Sequence, residues 1–233
     1  GHVDEVVYPL DAQQREILAL STTEKRNALT PEILSRRWGV GIATAKETLK
    51  VTTQAGVRNM LTPGERKVQQ RLDHLKFPNL RGSFYTDTMF SSVISLRGHD
   101  AAQVFTNGHG YDRFYPMKGK SSAGAALMSI IHDAGIPELL VSDNTLEQNH
   151  KTFGDTCVKY RINRKFTIPY NPWANLAEAS IREIKVGIRR ATRRSGSPKH
   201  AWCYCGQWVT AICCLTALDM PQLEGRVPED ART

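Results

Sequence analysis

After Lys76-Phe77-Pro78-Asn79-Leu80 the hydrophobic pattern changes period from about 3.6 residues to 2, and this switch constrains the fold more than any other feature of the sequence. Upstream, residues 1–75 read as a polar helical region. Downstream, Phe84 to Phe90 reads as a strand, followed by Ala102 to Thr106 and Tyr111 to Met117, joined by the strong hairpin signal Asn107-Gly108-His109-Gly110. Ser121 to Ala134 is a helix ended by Gly135, and Leu139-Leu140-Val141 is a short buried strand. Glu147 to Tyr160 is helical, Lys165 to Ile168 is a last strand, and Asn175 to about Arg194 is a long helix. The order βββαβαβα puts three antiparallel strands before two crossover units, an α/β class with a mixed five-stranded sheet flanked by helices. Residues 80–200 form this unit. Residues 201–233 add a Trp- and Cys-rich helix and a tail that pack on it.

Within the N-terminal region, Thr30-Pro31-Glu32 opens a helix with Thr as N-cap and Pro at the first helical position. Gly39 closes it, and Ala43 to Val51 is a second short helix. The pair, at 30–53, fits a helix-turn-helix that would offer Thr44, Lys46, Lys50 and Thr53 to DNA. A plain helical hairpin packed on its neighbour fits equally.

The charge is unevenly spread. Seven Lys and Arg stand between Arg182 and His200 against Glu183 alone, while the remaining 24 basic residues meet 22 acidic ones. A local basic segment on a balanced background points to a polyanion, most simply nucleic acid. The longest apolar run, Val209 to Leu218, is broken by Thr210 and Thr216 and is too short to cross a bilayer, so no membrane partner is expected. All five cysteines lie at or after Cys157, with no secretory leader ahead of them, which predicts an intracellular, reducing setting, nuclear or cytoplasmic. They read as structural thiols, with no zinc module before the strands.

Three carboxylates are candidates for chemistry. Asp87 shares a strand face with Tyr85 and Met89, where an ionised group costs several kcal/mol unless compensated. Asp143 follows Leu139 to Ser142 at the carboxyl end of a buried strand, where open α/β sheets present functional groups. Glu178 sits on the first turn of the long helix. At about 100° per residue it shares an arc with Arg182, Lys185 and Arg189, while Ala177, Ile181, Ile184, Ile188 and Ala191 fill a neighbouring apolar arc. Each has a bland alternative: a sheet-edge Asp, a turn-forming Asp-Asn, and a capping box from Asn175 to Glu178. If the three converge at one sheet edge, they make an all-oxygen site suited to Mg²⁺ or Mn²⁺.

Across roughly residues 80–200 the sequence resembles the D,D-E integrases of retroviruses and LTR retrotransposons, whose catalytic core has the ribonuclease H-like fold. Tyr85-Thr86-Asp87-Thr88 resembles the first-aspartate strand. Gly135-Ile136-Pro137 through Ser142-Asp143-Asn144 is similar to the segment around the second aspartate. Tyr170-Asn171-Pro172 through Glu178 resembles the loop and helix start that carry the glutamate, and Glu224 to Glu229 resembles an element that follows the core in retroelements. The resemblance implies DNA 3′-end processing and strand transfer by Asp87, Asp143 and Glu178 holding two divalent ions. It also implies Arg182, Lys185 and Arg189 on the DNA backbone, with Asn144 and Asn175 supporting the loops. The partners implied are element ends and target DNA, with the protein acting as a homo-oligomer. The departures are specific: 34 residues separate Asp143 from Glu178, one fewer than the family's usual count, and Thr145 and Leu176 stand where the family carries Gly. Two other readings follow from the same residues, a DNA-binding protein descended from an integrase without its chemistry, and a ribonuclease acting on RNA–DNA hybrids.

Overall fold

The computed structural model of the chain describes residues 29–52, 72, 75–143, 151–167 and 176–230. Two short helices come first, α1 (Pro31–Trp38) and α2 (Ile42–Val51). Thr30 accepts a hydrogen bond from the Ile33 amide, Pro31 opens α1, and Gly39 closes it in the left-handed conformation that a side chain would resist. The sheet follows: β1 (Asn79–Phe90), β2 (Ala101–Thr106) and β3 (Asp112–Met117), then α3 (Ala123–Asp133), β4 (Ile136–Ser142), α4 (Lys151–Lys159) and β5 (Asn163–Phe166). The long helix α5 (Leu176–Ser195) and the Trp- and Cys-rich α6 (Trp202–Leu215) close the chain, ahead of a short tail.

The strand order is β3-β2-β1-β4-β5, antiparallel across β1, β2 and β3 and parallel across β1, β4 and β5. This is the mixed five-stranded sheet the sequence predicts. β2 and β3 start within one residue of expectation, and the other three strands differ by more. β1 begins at Asn79, inside the stretch read as a linker, because Asn79 pairs with Ile136 and Pro78 accepts a hydrogen bond from the Ile136 amide. The register slips between Leu80 and Ser83, around Gly82 at positive φ, which breaks the strict alternation that sequence reading relies on. β4 likewise extends from Ile136 to Ser142, and β5 lies two residues upstream of its expected place. The expected starts of α4 at Glu147 and of α5 at Asn175 fall outside the described residues, as do 1–28 and most of 53–74.

The sheet separates two clusters. On one face Leu80, Phe84, Ala101 and Phe105 pack under α3 and α4; on the other Met89, Ala102, Val104 and Phe114 pack under Ile181, Ile184 and Ile188 of α5 and Trp202 of α6. Ala177, Ile181, Ile184 and Ile188 are buried, so the apolar arc of α5 falls where its period places it. Each buried Ile contributes about 1.5–3 kcal/mol. β2 is buried along its whole length, with helices over both faces. Among the described residues no helix is long and apolar enough to cross a membrane.

Candidate nucleic-acid site

Asp87 pairs with Val104 of β2, two positions along from the Tyr85–Thr106 pair and two before Met89–Ala102. Val104, Ala102 and Met89 all belong to the cluster under α5, so alternation puts the half-buried Asp87 on the α5 face of the sheet. Its Oδ1 accepts a 2.7 Å hydrogen bond from the Thr88 amide. On the other side of β1 the parallel pairing with β4 runs Tyr85–Val141, Thr86–Ser142. Asp87 and Asp143 are the residues that follow directly on the last of these pairs. Asp143 is exposed, and its Oδ1 accepts a 3.0 Å hydrogen bond from the Thr167 hydroxyl, while the Thr167 amide donates to the Ser142 carbonyl and carries the β4–β5 register one step on. Asp143 and Thr167 thus stand just past the ends of β4 and β5, hydrogen-bonded to each other.

The first turn of α5 meets the end of β2 and the turn that follows it. The Ser180 hydroxyl is 3.2 Å from that of Thr106, and Leu176 packs on Gly108 of the β2–β3 turn so closely that a Cβ there would lie 2.5 Å from Leu176 Cδ1. The Leu at the position where integrases carry Gly is therefore accommodated by a Gly across the interface. Glu178 is exposed beside Ser180, 3.5 Å from Arg182, an i,i+4 ion pair with both partners mostly in solvent and worth a few tenths of a kcal/mol. Arg182, Lys185 and Arg189 are exposed along the outer side of the helix. Asp87 and Asp143 thus follow the last paired residues of two neighbouring parallel strands, and Glu178 stands on the first turn of α5, the helix packed on the Asp87 face of the sheet. Among the described residues, no three His, Cys, Asp or Glu side chains are close enough together to hold a metal ion.

Lys46 and Lys50 are exposed on α2, and Lys50 is paired with Glu47 at 2.7 Å. Ala45 and Thr48 are buried instead, and the Thr48 hydroxyl accepts a hydrogen bond from the Ala217 amide. Asn144, Thr145, Asn175 and Thr53 lie outside the described residues. Sequence reasoning missed Thr167, because β5 was placed two residues too late, and Ser180 and Thr106, whose pairing no spacing announces. The cysteines are free, and burial pushes the thiols of Cys157 and Cys213 up to about 11 and that of Cys214 up to about 12, so all three are protonated near neutral pH.

The strand order and the helix across the α5 face define a ribonuclease H-like fold, that of retroviral integrase catalytic cores. The catalytic core domain of human T-lymphotropic virus 2 (HTLV-2) integrase, solved with magnesium in a trimeric form, superposes with a TM-score of 0.50 at 14% identity, covering 65% of this chain and 95% of that one. The catalytic core domain of BIV integrase gives 0.45 at 12% identity, over 64% of this chain and 92% of that one. No protein-family model matches the sequence, and no curated protein does.

Proposed function

We propose that the chain is an integrase-type enzyme, with residues 80–200 as its catalytic core, that processes the 3′ ends of a DNA element and joins them to target DNA. The observation that most supports this is the parallel β1–β4 pairing, which ends at Thr86–Ser142 with Asp87 and Asp143 the next residue on each strand, on a sheet packed against a helix that carries Glu178 and a cationic side. The donors are all carboxylate oxygens, which fit Mg²⁺ or Mn²⁺. Two such ions, when bound, would supply an activated nucleophile and charge stabilisation at the leaving oxygen. Thr167 orients Asp143 through its hydroxyl, the Thr106–Ser180 contact holds the first turn of α5 on the sheet, and Glu178 is the third carboxylate of the set. Arg182, Lys185 and Arg189 hold the DNA backbone near the reacting bond, and Lys46 and Lys50 extend the contact. The protein works as a homo-oligomer on DNA.

A Mn²⁺-supported cleavage and strand-transfer assay tests this. Asp87→Asn, Asp143→Asn and Glu178→Gln should each lower activity by about a hundredfold or more while DNA binding persists; Gln at 178 keeps the helix-capping role, so its loss reports on ligation and not on folding. The second reading, a DNA-binding descendant without chemistry, draws on Thr145 and Leu176, which stand where integrases prefer Gly. Background activity in wild type and all three variants alike, with binding intact, selects it.

A further inference from the structure

A second feature lies further along α5, where the helix, the start of α6 and the segment after β1 enclose a groove of about 680 Å³. Lys185, Arg189, Arg193 and Lys199 line it, and among the described residues no acidic side chain does. Its floor is apolar: Met89, Ile188 and the ring of Trp202. Phe90 stands at the wall, half exposed, with the Lys120 ammonium 5.0 Å from its ring centroid. The outer wall is held in place. Trp202 Nε1 donates to the Val93 carbonyl at 2.8 Å, the Leu96 amide donates to the His200 carbonyl at 3.0 Å, and His200 Nδ1 lies 2.8 Å from the Ile94 carbonyl.

We propose that this groove binds a single-stranded nucleic-acid segment, which deepens the DNA reading above and rests on it. Lys185, Arg189 and Arg193 recur every four residues, about 6 Å along the helix axis, close to one nucleotide of an extended strand. Duplex DNA presents phosphates on the outside of a stacked column, so it has no use for an apolar floor between the cations. A frayed strand has unstacked bases that need such a surface, and a row of cations beside aromatic and aliphatic side chains is how such strands are held without sequence readout. The groove opens at the Phe90 end of β1, three residues beyond Asp87, so a strand leaving the carboxylate pair would pass along α5 into it.

Fluorescence anisotropy with a short blunt duplex and the same duplex carrying a five-nucleotide single-stranded overhang, in EDTA, tests this apart from catalysis. Wild type should bind the overhang form about tenfold tighter, with a steeper salt dependence. The Arg193→Ala/Lys199→Ala double variant and, separately, Phe90→Ala should bring the ratio of the two affinities close to one; Phe90 is half exposed, so its variant keeps the fold, which a melting curve verifies. A wild-type ratio of one, or a ratio that the variants leave unmoved, overturns the inference. Absence of salt-dependent binding to either form overturns the DNA reading as well, so the two failures are distinct.

Discussion

Asp112 stands opposite Thr106 in the β2–β3 pair, with the Ser180 hydroxyl of α5 nearby, and one of its carboxyl oxygens is buried with no hydrogen-bond partner. Burial raises its pKa, and the Thr106 and Ser180 hydroxyls offset only part of that. A carboxyl whose pKa is higher in the folded chain than in the unfolded one favours folding below its ordinary pKa, and that contribution is lost as pH rises through the elevated value. Asp112→Asn should therefore raise the melting temperature at pH 7 and leave it nearly unchanged at pH 4. A loss of stability at pH 7 would mean that the ionised form is the one the fold uses. Nothing in the sequence marks Asp112, since a residue after a hairpin turn is ordinarily solvated; its burial comes from α5, which lies more than sixty residues downstream.

At the scale of elements, the contact of α6 with the sheet depends on a missing side chain. A Cβ on Gly206 would lie 2.5 Å from the Phe114 ring, which is buried and meets Trp202 edge-on at 6.0 Å between centroids. In an exposed helix Gly→Ala would stabilise by about 1 kcal/mol. Here the sign inverts: overpacking should lower stability by about 1–3 kcal/mol, read as a lower urea midpoint with an unchanged slope. The helices and strands were legible because their periods are strong, α5 above all, whose buried residues are those its apolar arc specifies. Strand ends were not, because β1 passes a bulge at Gly82 and because its first residues are recruited by β4, a partner more than fifty residues away. The carboxylates were legible as candidates from their places on elements. That Asp87 and Asp143 both follow directly on paired residues of neighbouring strands depends on the parallel register, which no local pattern encodes.

For the whole molecule, α1 and α2 are joined to the rest by few contacts. The Arg194 guanidinium of α5 donates to the carbonyls of Arg36 and Arg37 at the end of α1, satisfying acceptors that a helix terminus leaves open, and Thr48 is tied to Ala217. Arg194→Ala should speed amide exchange across residues 31–51 by about five- to tenfold and leave the sheet amides unchanged; equal acceleration everywhere would show that this contact supports the entire fold. Behind this attachment the interior is divided by the sheet into two clusters with no side chain in common. Asp87, α5 and the groove belong to one side, and the packing beneath α3 and α4 belongs to the other. A substitution that loosens the packing beneath α3 is therefore separated from the groove by the full thickness of the sheet.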